Sequence, residues 1–216
     1  MIPKVNILQK IVDGGIIAVL RQVPQEQSEA LAQSLIEGGV TALEVTVDTP
    51  GAFETIKRLS DTFGDRAVIG AGTVLDAESA RLAILNGADF IFSPSLHQDV
   101  IRMALRYGKA AIPGVMSPTE MITAMEWGAD MVKIFPAAAL GPRYIKDVKA
   151  PLPHVPVIPS GGVNVDNIAS FFEAGASAVG IGGNLVRVSK EETADFARIR
   201  DLAAKYAAAV KKARVQ

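Results

Sequence analysis

Trp127-Gly-Ala-Asp-Met-Val-Lys-Ile-Phe-Pro136 contains the most informative run of the chain, in which a helix-ending glycine is followed by a short apolar segment. Glycine just past a helix supplies the left-handed residue that turns the chain, and Met131–Pro136 has the length and composition of a buried strand. Lys133 lies in the middle of that run, where an unpaired ammonium is costly to bury. Desolvation lowers the pKa of such a lysine, and a neutral amine attacks carbonyl carbons to form Schiff bases. Lys133 is therefore either a nucleophile or one half of a buried ion pair.

The same junction of helix, glycine and strand recurs along the chain. Eight β-rich runs begin about 20 to 26 residues apart, a spacing that suits βα units rather than hairpins. The predicted strands are Ile16–Leu20, Ala42–Val47, Val68–Gly72, Phe90–Pro94, Ala110–Val115, Met131–Pro136, Pro156–Ser160 and Ala178–Gly182. Helical periodicity fills the connections Glu26–Glu37, Ala52–Thr62, Ala77–Asn86, Gln98–Tyr107, Thr119–Trp127 and Val165–Glu173.

These units predict an α/β fold, a single (β/α)8 TIM barrel domain over residues 1–216. An extra N-terminal helix near residues 4–13 is expected to cover the bottom of the barrel, and Glu191–Val215 is predicted as the long last helix. An open doubly wound sheet is the alternative; it is weaker because no Gly-x-Gly-x-x-Gly turn follows the first predicted strand. In a barrel the chemistry takes place at the carboxyl ends of the strands.

Composition excludes several classes of protein. The net charge is -1 and charges of both signs are spread along the chain, which argues against nucleic acid or an anionic membrane as the main partner. The absence of cysteine excludes disulfides and thiolate metal sites, and His97 and His154 have no partner at metal-ligand spacing. Neither a leader peptide nor a membrane-spanning run is recognisable, so a soluble cytoplasmic protein is expected.

Two charged residues are predicted to point into the barrel. Strand faces alternate with a period of two, so Glu44 shares the inward face of the second predicted strand with Ala42 and Thr46. Lys133 and Phe135 share the inward face of the sixth, which places a carboxylate and an ammonium a few ångströms apart or bridged by water. A structural ion pair is one interpretation. Schiff-base chemistry is the other, because lysine shifts its pKa readily and Glu44 has a role as proton shuttle.

Glycine pairs end the last two predicted strands, in Pro159-Ser-Gly-Gly-Val163 and Gly180-Ile-Gly-Gly-Asn184. Loops at these places commonly hold a phosphate through backbone N–H groups, although a tight turn alone also needs glycine. Arg21 follows the first predicted strand, and two roles are open for it. It could bind a carboxylate or phosphate group of the substrate, or it could form a surface salt bridge. Thr73 ends a glycine-rich strand and Pro94 closes the fourth, where both are expected to line the pocket.

Taken together, the sequence resembles the class I 2-keto-3-deoxy-6-phosphogluconate (KDPG) aldolase family, including members that also cleave 4-hydroxy-2-oxoglutarate. The resemblance runs from Gly15 to Val186. Its most specific segments are Leu43-Glu-Val-Thr46, Ile69-Gly-Ala-Gly-Thr-Val74, Phe92-Ser-Pro94, Pro113-Gly-Val-Met-Ser-Pro-Thr-Glu120, Val132-Lys-Ile-Phe-Pro136 and Ser160-Gly-Gly-Val163.

The resemblance implies roles for individual residues. Lys133 matches the Schiff-base lysine and Glu44 the general acid/base. The keto-acid end is implied to be lined by Arg21, Thr73, Pro94 and Phe135, and the phosphate end by Ser160, Gly161, Gly162, Gly182, Gly183 and Asn184. It also implies a homotrimer that needs neither metal nor cofactor and acts in Entner–Doudoroff catabolism. Two residues depart from the family pattern. Asp48 lies where some members have arginine, and Asn184 lies where many members have serine.

The implied reaction is cleavage of KDPG to pyruvate and glyceraldehyde 3-phosphate, or of 4-hydroxy-2-oxoglutarate to pyruvate and glyoxylate. A related aldolase for 2-keto-3-deoxy-6-phosphogalactonate is one alternative. A phosphosugar isomerase or epimerase on the same barrel is another, with Glu44 as base and Lys133 acting only electrostatically. The third is a ligand-binding or scaffold protein, which has no need of both charged residues.

Overall fold

A computed structural model describes residues 2–188 and 194–215, in which short strands alternate with helices. The strands are β1 (Ile16–Leu20), β2 (Ala42–Thr46), β3 (Val68–Gly72), β4 (Phe90–Phe92), β5 (Ala110–Ile112), β6 (Gly114–Val115), β7 (Val132–Ile134), β8 (Val157–Pro159) and β9 (Val179–Ile181). The α-helices are α1 (Pro3–Gly14), α2 (Ser28–Glu37), α3 (Ala52–Phe63), α4 (Ala77–Leu85), α5 (Gln98–Arg106), α6 (Pro118–Glu126), α7 (Gly141–Lys149), α8 (Ile168–Glu173) and α9 (Phe196–Val215). Single 3-10 turns cover Gln25–Gln27 and Ala137–Ala139.

All strand pairs are parallel, and they form a curled sheet in two ladders. One ladder has the order β5-β4-β3-β2-β1-β9 and the other the order β6-β7-β8. The predicted fifth strand is divided at Pro113, because proline has no N–H group to donate to a ladder. A single bridge between Ser160 and Gly180 joins β8 to β9. Consecutive strands are neighbours within each ladder and β9 lies beside β1, so the doubly wound alternative, whose strand order reverses partway, is excluded.

The sheet separates two apolar layers, as the period-two alternation predicts. Leu43, Val45, Val132 and Ile134 belong to the layer between sheet and helices. The opposite face carries a smaller cluster that includes Ala42, Phe90 and Phe92. Two buried side chains of α1, Ile7 and Ile11, belong to this inner cluster. The N-terminal helix therefore covers the inner face from below.

Some helices differ from the prediction at their ends. Helix α8 begins at Ile168 instead of Val165, because bonds between the side chains and backbone of Asn164 and Asn167 fold the preceding residues into a turn. Helix α9 begins at Phe196, and residues 191–193 of the predicted last helix lie outside the described residues. Within the described ranges, no helix is long and apolar enough to cross a membrane.

Candidate active site

Lys133, on β7, is buried in apolar surroundings. Only 4% of the residue is exposed, and Nζ lies 4.0 Å from the ring centroid of Phe92 and 5.0 Å from that of Phe135. Burial lowers the pKa of the amine, Glu44 opposes that effect and Arg21 adds to it. The environment therefore shifts the amine toward its neutral form, which is the nucleophilic form.

Glu44, on β2, is fully buried, and within the described chain neither carboxylate oxygen has a hydrogen-bond partner. The pKa of this carboxyl is raised to about 7, because the effect of burial, to which Asp48 adds, outweighs the lowering by Lys133 and Arg21. Space for the carboxylate exists only because residue 72 is glycine, since a Cβ there would lie 1.6 Å from Oε1. An unpartnered buried carboxyl is expensive unless something else binds to it.

The two groups face each other without forming an ion pair. No nitrogen–oxygen contact within 4.0 Å joins Glu44 to Lys133 in the described chain, although each shifts the pKa of the other. The structural ion-pair interpretation requires such a contact, so the geometry opposes it. A carboxyl that titrates near neutral pH beside a buried amine is instead the arrangement that proton transfer to and from a bound molecule requires.

Arg21 lies just after β1. Its Nη1 is 3.0 Å from Asp48 Oδ2, and its Nη2 donates to Thr73 Oγ1 at 2.9 Å. About half of the side chain is exposed. The structure thus shows the salt bridge that the sequence left as one alternative for Arg21, and it brings Thr73 to the same guanidinium.

Pro94 and Phe135 follow β4 and β7 directly or within two residues, and each lies close to a glycine. A Cβ at Gly114 would lie 2.2 Å from the carbonyl carbon of Pro94, so the loop after β4 presses against β6. Phe135 remains 38% exposed, and its ring is 3.5 Å from where a Cβ of Gly161 would be. Phe135 therefore lies between the amine and the first glycine pair.

The glycine pairs lie where the sequence predicts them, after β8 and β9. Gly161 and Gly162 both have left-handed φ values, of 89° and 83°. In the described chain, hydrogen-bond partners are absent for the backbone N–H groups of Gly162, Val163, Gly183 and Asn184. Ser160 is buried and faces Gly180, where a Cβ would lie 2.6 Å from its hydroxyl. Gly182 accepts from two backbone N–H groups of the turn that follows it.

Asparagine side chains hold the carbonyl groups of the first glycine loop. Asn184 Nδ2 donates to Val163 O at 2.9 Å and so joins the two loops. Asn167 Nδ2 donates to Gly162 O at 3.0 Å. With these carbonyl groups engaged, the loops offer N–H groups, which suit an anion. The second loop leads into a turn at residues 183–185.

Sequence reasoning missed three residues of this site. Phe92 is the aromatic ring closest to the amine, and its inward parity on β4 is a signal that could have identified it. Gly72 makes room for Glu44, a contact between neighbouring strands that needs their register. Asp48 was noted only as a departure, and its bond to Arg21 depends on the conformation of two loops.

Comparison with known proteins places this geometry in a family. Residues 7–202 match the family described as KDPG and KHG aldolase. The chain belongs to this aldolase family. A 2-dehydro-3-deoxy-6-phosphogalactonate aldolase of Escherichia coli (strain K12) is 40% identical over 84% of this chain and 90% of its own length.

Two further aldolases agree with this assignment. A 2-dehydro-3-deoxy-phosphogluconate aldolase of Treponema pallidum is 34% identical over 87% of this chain and 89% of its own. The crystal structure of KDPG aldolase from Legionella pneumophila, with pyruvate captured as a covalent carbinolamine, superimposes with a TM-score of 0.84 at 29% identity, covering 91% of this chain and 96% of that one. The resemblance to KDPG aldolases is thus confirmed.

Proposed function

We propose that this protein is a class I, Schiff-base aldolase that cleaves KDPG to pyruvate and glyceraldehyde 3-phosphate. The observation that supports this most is the buried, unpartnered carboxyl of Glu44 beside the buried amine of Lys133. The pyruvate carbinolamine described for the Legionella pneumophila aldolase is the first covalent intermediate of the same chemistry. Membership of an aldolase family also makes the isomerase and scaffold alternatives weaker.

In the proposed mechanism, neutral Lys133 attacks the C2 carbonyl of the keto acid to form a carbinolamine. Glu44, acting through a water molecule, transfers the protons that allow hydroxide to leave as water and an iminium ion to form. The iminium ion accepts the electron pair of the C3–C4 bond as the C4 hydroxyl loses its proton, which releases the aldehyde. Protonation of the resulting enamine at C3 and hydrolysis return pyruvate and free Lys133.

The surroundings support each of these steps. Phe92 and Phe135 exclude water from the amine, and burial of Lys133 makes the neutral nucleophile accessible. A pKa of about 7 allows Glu44 to give and take a proton near neutral pH. Because the electron sink is the iminium ion itself, the proposed reaction uses no metal and no cofactor.

Substrate binding is proposed at the two sides of this pair. Arg21 and Thr73 would bind the keto-acid carboxylate, with Pro94 and Phe135 as the apolar wall. A distal phosphate would lie against the N–H groups around Gly161, Gly162 and Gly183, with Ser160, Gly182 and Asn184 shaping the two loops. This assignment gives all the predicted site residues a place around one extended substrate.

Specific observations favour two other substrates. The 40% identical Escherichia coli relative is named for the galactonate substrate, which makes 2-keto-3-deoxy-6-phosphogalactonate the second candidate. The family description also includes KHG, which is 2-keto-4-hydroxyglutarate, another name for 4-hydroxy-2-oxoglutarate. This compound is therefore the third candidate substrate. The three share the C2 keto acid and C4 hydroxyl that the mechanism requires.

We also propose the finer features of the assembly. The two ladders would constitute one closed eight-stranded barrel in a single domain, since β5 and β6 are consecutive and β8 bridges to β9. A homotrimer in the cytoplasm, acting in Entner–Doudoroff catabolism, follows from the resemblance alone.

A steady-state comparison of the three keto acids tests the proposed function. Purified protein should release pyruvate, detected by coupling to lactate dehydrogenase, from at least one of them, and the ratio of kcat/KM values identifies the preferred C4 configuration. Inactivity toward all three would contradict the proposal.

A further inference from the structure

Asp48, Arg21 and Thr73 form a bonded cluster at the carboxyl ends of β1, β2 and β3. Arg21 spans the other two, with Asp48 on one terminal nitrogen and Thr73 on the other. Each terminal nitrogen of a guanidinium carries two hydrogens, and Nε carries a fifth. Three donors therefore remain for a ligand while the plane of the guanidinium stays fixed.

The backbone around this cluster is strained. Gln22 and Thr73, with φ of 54° and 59°, are the non-glycine residues of the described chain that have positive φ. The left-handed region is unfavourable for a β-branched side chain such as that of Thr73. Thr73 accepts a hydrogen bond from Arg21, and Gln22 follows Arg21 in the sequence, so both residues with positive φ belong to this cluster.

Further bonds tie the two loops of the cluster together. Gln22 N donates to Thr49 Oγ1 at 3.0 Å, and Gln22 Nε2 donates to Asp48 O at 3.2 Å. Thr49 Oγ1 in turn is 3.0 Å from Thr46 Oγ1, which is buried on β2 two residues after Glu44. Strain of this kind persists where the surrounding bonds fix it, and it is concentrated at functional sites.

We infer that Asp48 is a positioning residue that holds Arg21 in the orientation in which it binds the carboxylate of the keto acid. This rests on the proposed function. An arginine that is half exposed otherwise samples many rotamers, and ordering it on binding weakens affinity. Repulsion between Asp48 and an anionic ligand is the opposing effect; because the Asp48 side chain is 41% exposed, water screens that repulsion.

The cluster also affects the buried carboxyl. Three charged groups act on Glu44 from different elements: Lys133 on β7, Arg21 after β1 and Asp48 after β2. Asp48 raises the pKa of Glu44, whereas Arg21 lowers it. Replacing Asp48 by the neutral, isosteric asparagine therefore shifts the ionisation of Glu44 to lower pH. This shift follows from the charge of Asp48 alone, so it separates the effect of charge from the effect of position.

Pyruvate alone is the probe for the test. The concentration of pyruvate that gives half-maximal borohydride trapping is measured for the wild type, Asp48→Ala, Asp48→Asn and Asp61→Ala. Asp61 is the control because it also forms an exposed ion pair, with Lys57 on α3. We expect the half-saturating concentration to rise about 10-fold in Asp48→Ala, with the same adduct yield at saturation, and to change less than twofold in Asp61→Ala.

Asp48→Asn keeps an oxygen that accepts from Arg21 and distinguishes position from charge. Its half-saturating concentration should lie between those of the wild type and Asp48→Ala, and its trapping should follow a pH profile displaced to lower pH. Unchanged or tighter pyruvate binding in both Asp48 variants overturns the positioning role. Adduct formation in the wild type in that same experiment still supports the proposed function. Absence of any adduct in the wild type overturns both.

Discussion

The two ends of the candidate site differ in how far water reaches them. At one end, Lys133 and Glu44 are 4% and 0% exposed, and the amine of Lys133 lies beside two aromatic rings. At the other end, Gly183 and Asn184 are exposed, and the loops offer backbone N–H groups instead of charged side chains. Burial changes the pKa of ionisable groups strongly, whereas hydrogen bonds in water contribute modestly. The difference therefore separates a reacting end from a binding end.

The largest effect is expected at Lys133. Lys133→Met should reduce kcat by about 10⁴-fold or more, because no other group can form the iminium ion. The matched control is Lys146→Met, an exposed lysine on α7. The kcat of both variants is measured from the rate of pyruvate release. An equal reduction of kcat in the two variants would contradict the assignment of Lys133 to the reacting end.

Glu44→Gln should reduce kcat by about 10² to 10⁴-fold, since the amide keeps the shape of the carboxyl but cannot transfer protons. Unlike a change at the binding end, this loss should appear in kcat rather than in KM. Single-turnover measurements of carbinolamine conversion check it. A variant that keeps wild-type kcat would show that Glu44 is not the proton shuttle.

Gly72→Ala tests whether the position of Glu44 matters as much as its presence. The added Cβ would overlap Oε1, so the carboxyl must move, and a displacement of about 1 Å costs about 100-fold in rate. Gly14→Ala is the control for stability, because Gly14, like Gly72, has no positive φ, and its added Cβ would make only an ordinary contact of 3.5 Å with Thr41 Oγ1. Full activity of Gly72→Ala, with the fold intact, would argue against a fixed carboxyl.

The raised pKa of Glu44 has a consequence for stability. The folded state holds a proton up to about pH 7 that the unfolded state releases near 4.5, so the free energy of unfolding should fall as pH rises between these values and stay low above them. Glu44→Gln lacks this loss and should be more stable than the wild type at pH 8, by about 3 kcal/mol at most. Urea unfolding of both proteins at pH 4.5 and 8 measures it; a constant difference would contradict the buried-carboxyl account.

The smallest effect is expected at Asn184. Asn184→Ala removes the bond that joins the two glycine loops, and one neutral hydrogen bond is worth about 1 kcal/mol, or about fivefold in KM for a phosphorylated substrate. Asn6→Ala on α1, at an exposed position, is the control. For the corresponding keto acid without phosphate, the KM of Asn184→Ala should equal that of the wild type. A lower kcat instead of a higher KM would indicate that Asn184 acts at the reacting end.

Some of this comparison could be predicted from sequence. Strand parity placed Glu44 and Lys133 on one inner face, because that pattern depends only on local alternation. Strand parity does not predict the contact of Gly72 with Glu44, because that contact depends on the register between β2 and β3. It also does not predict the interruption of the fifth strand at Pro113. The bond between Arg21 and Asp48 joins two loops, whose conformations local sequence patterns do not determine.

Trapping of pyruvate tests the central claim most directly. The protein is incubated with pyruvate, reduced with borohydride, digested and analysed by mass spectrometry. The account predicts that the peptide containing Lys133 carries the reduced pyruvate adduct, that Lys133→Met carries none, and that Asn184→Ala is labelled like the wild type at saturating pyruvate. An unlabelled Lys133 peptide, or an adduct on a different lysine, would contradict it.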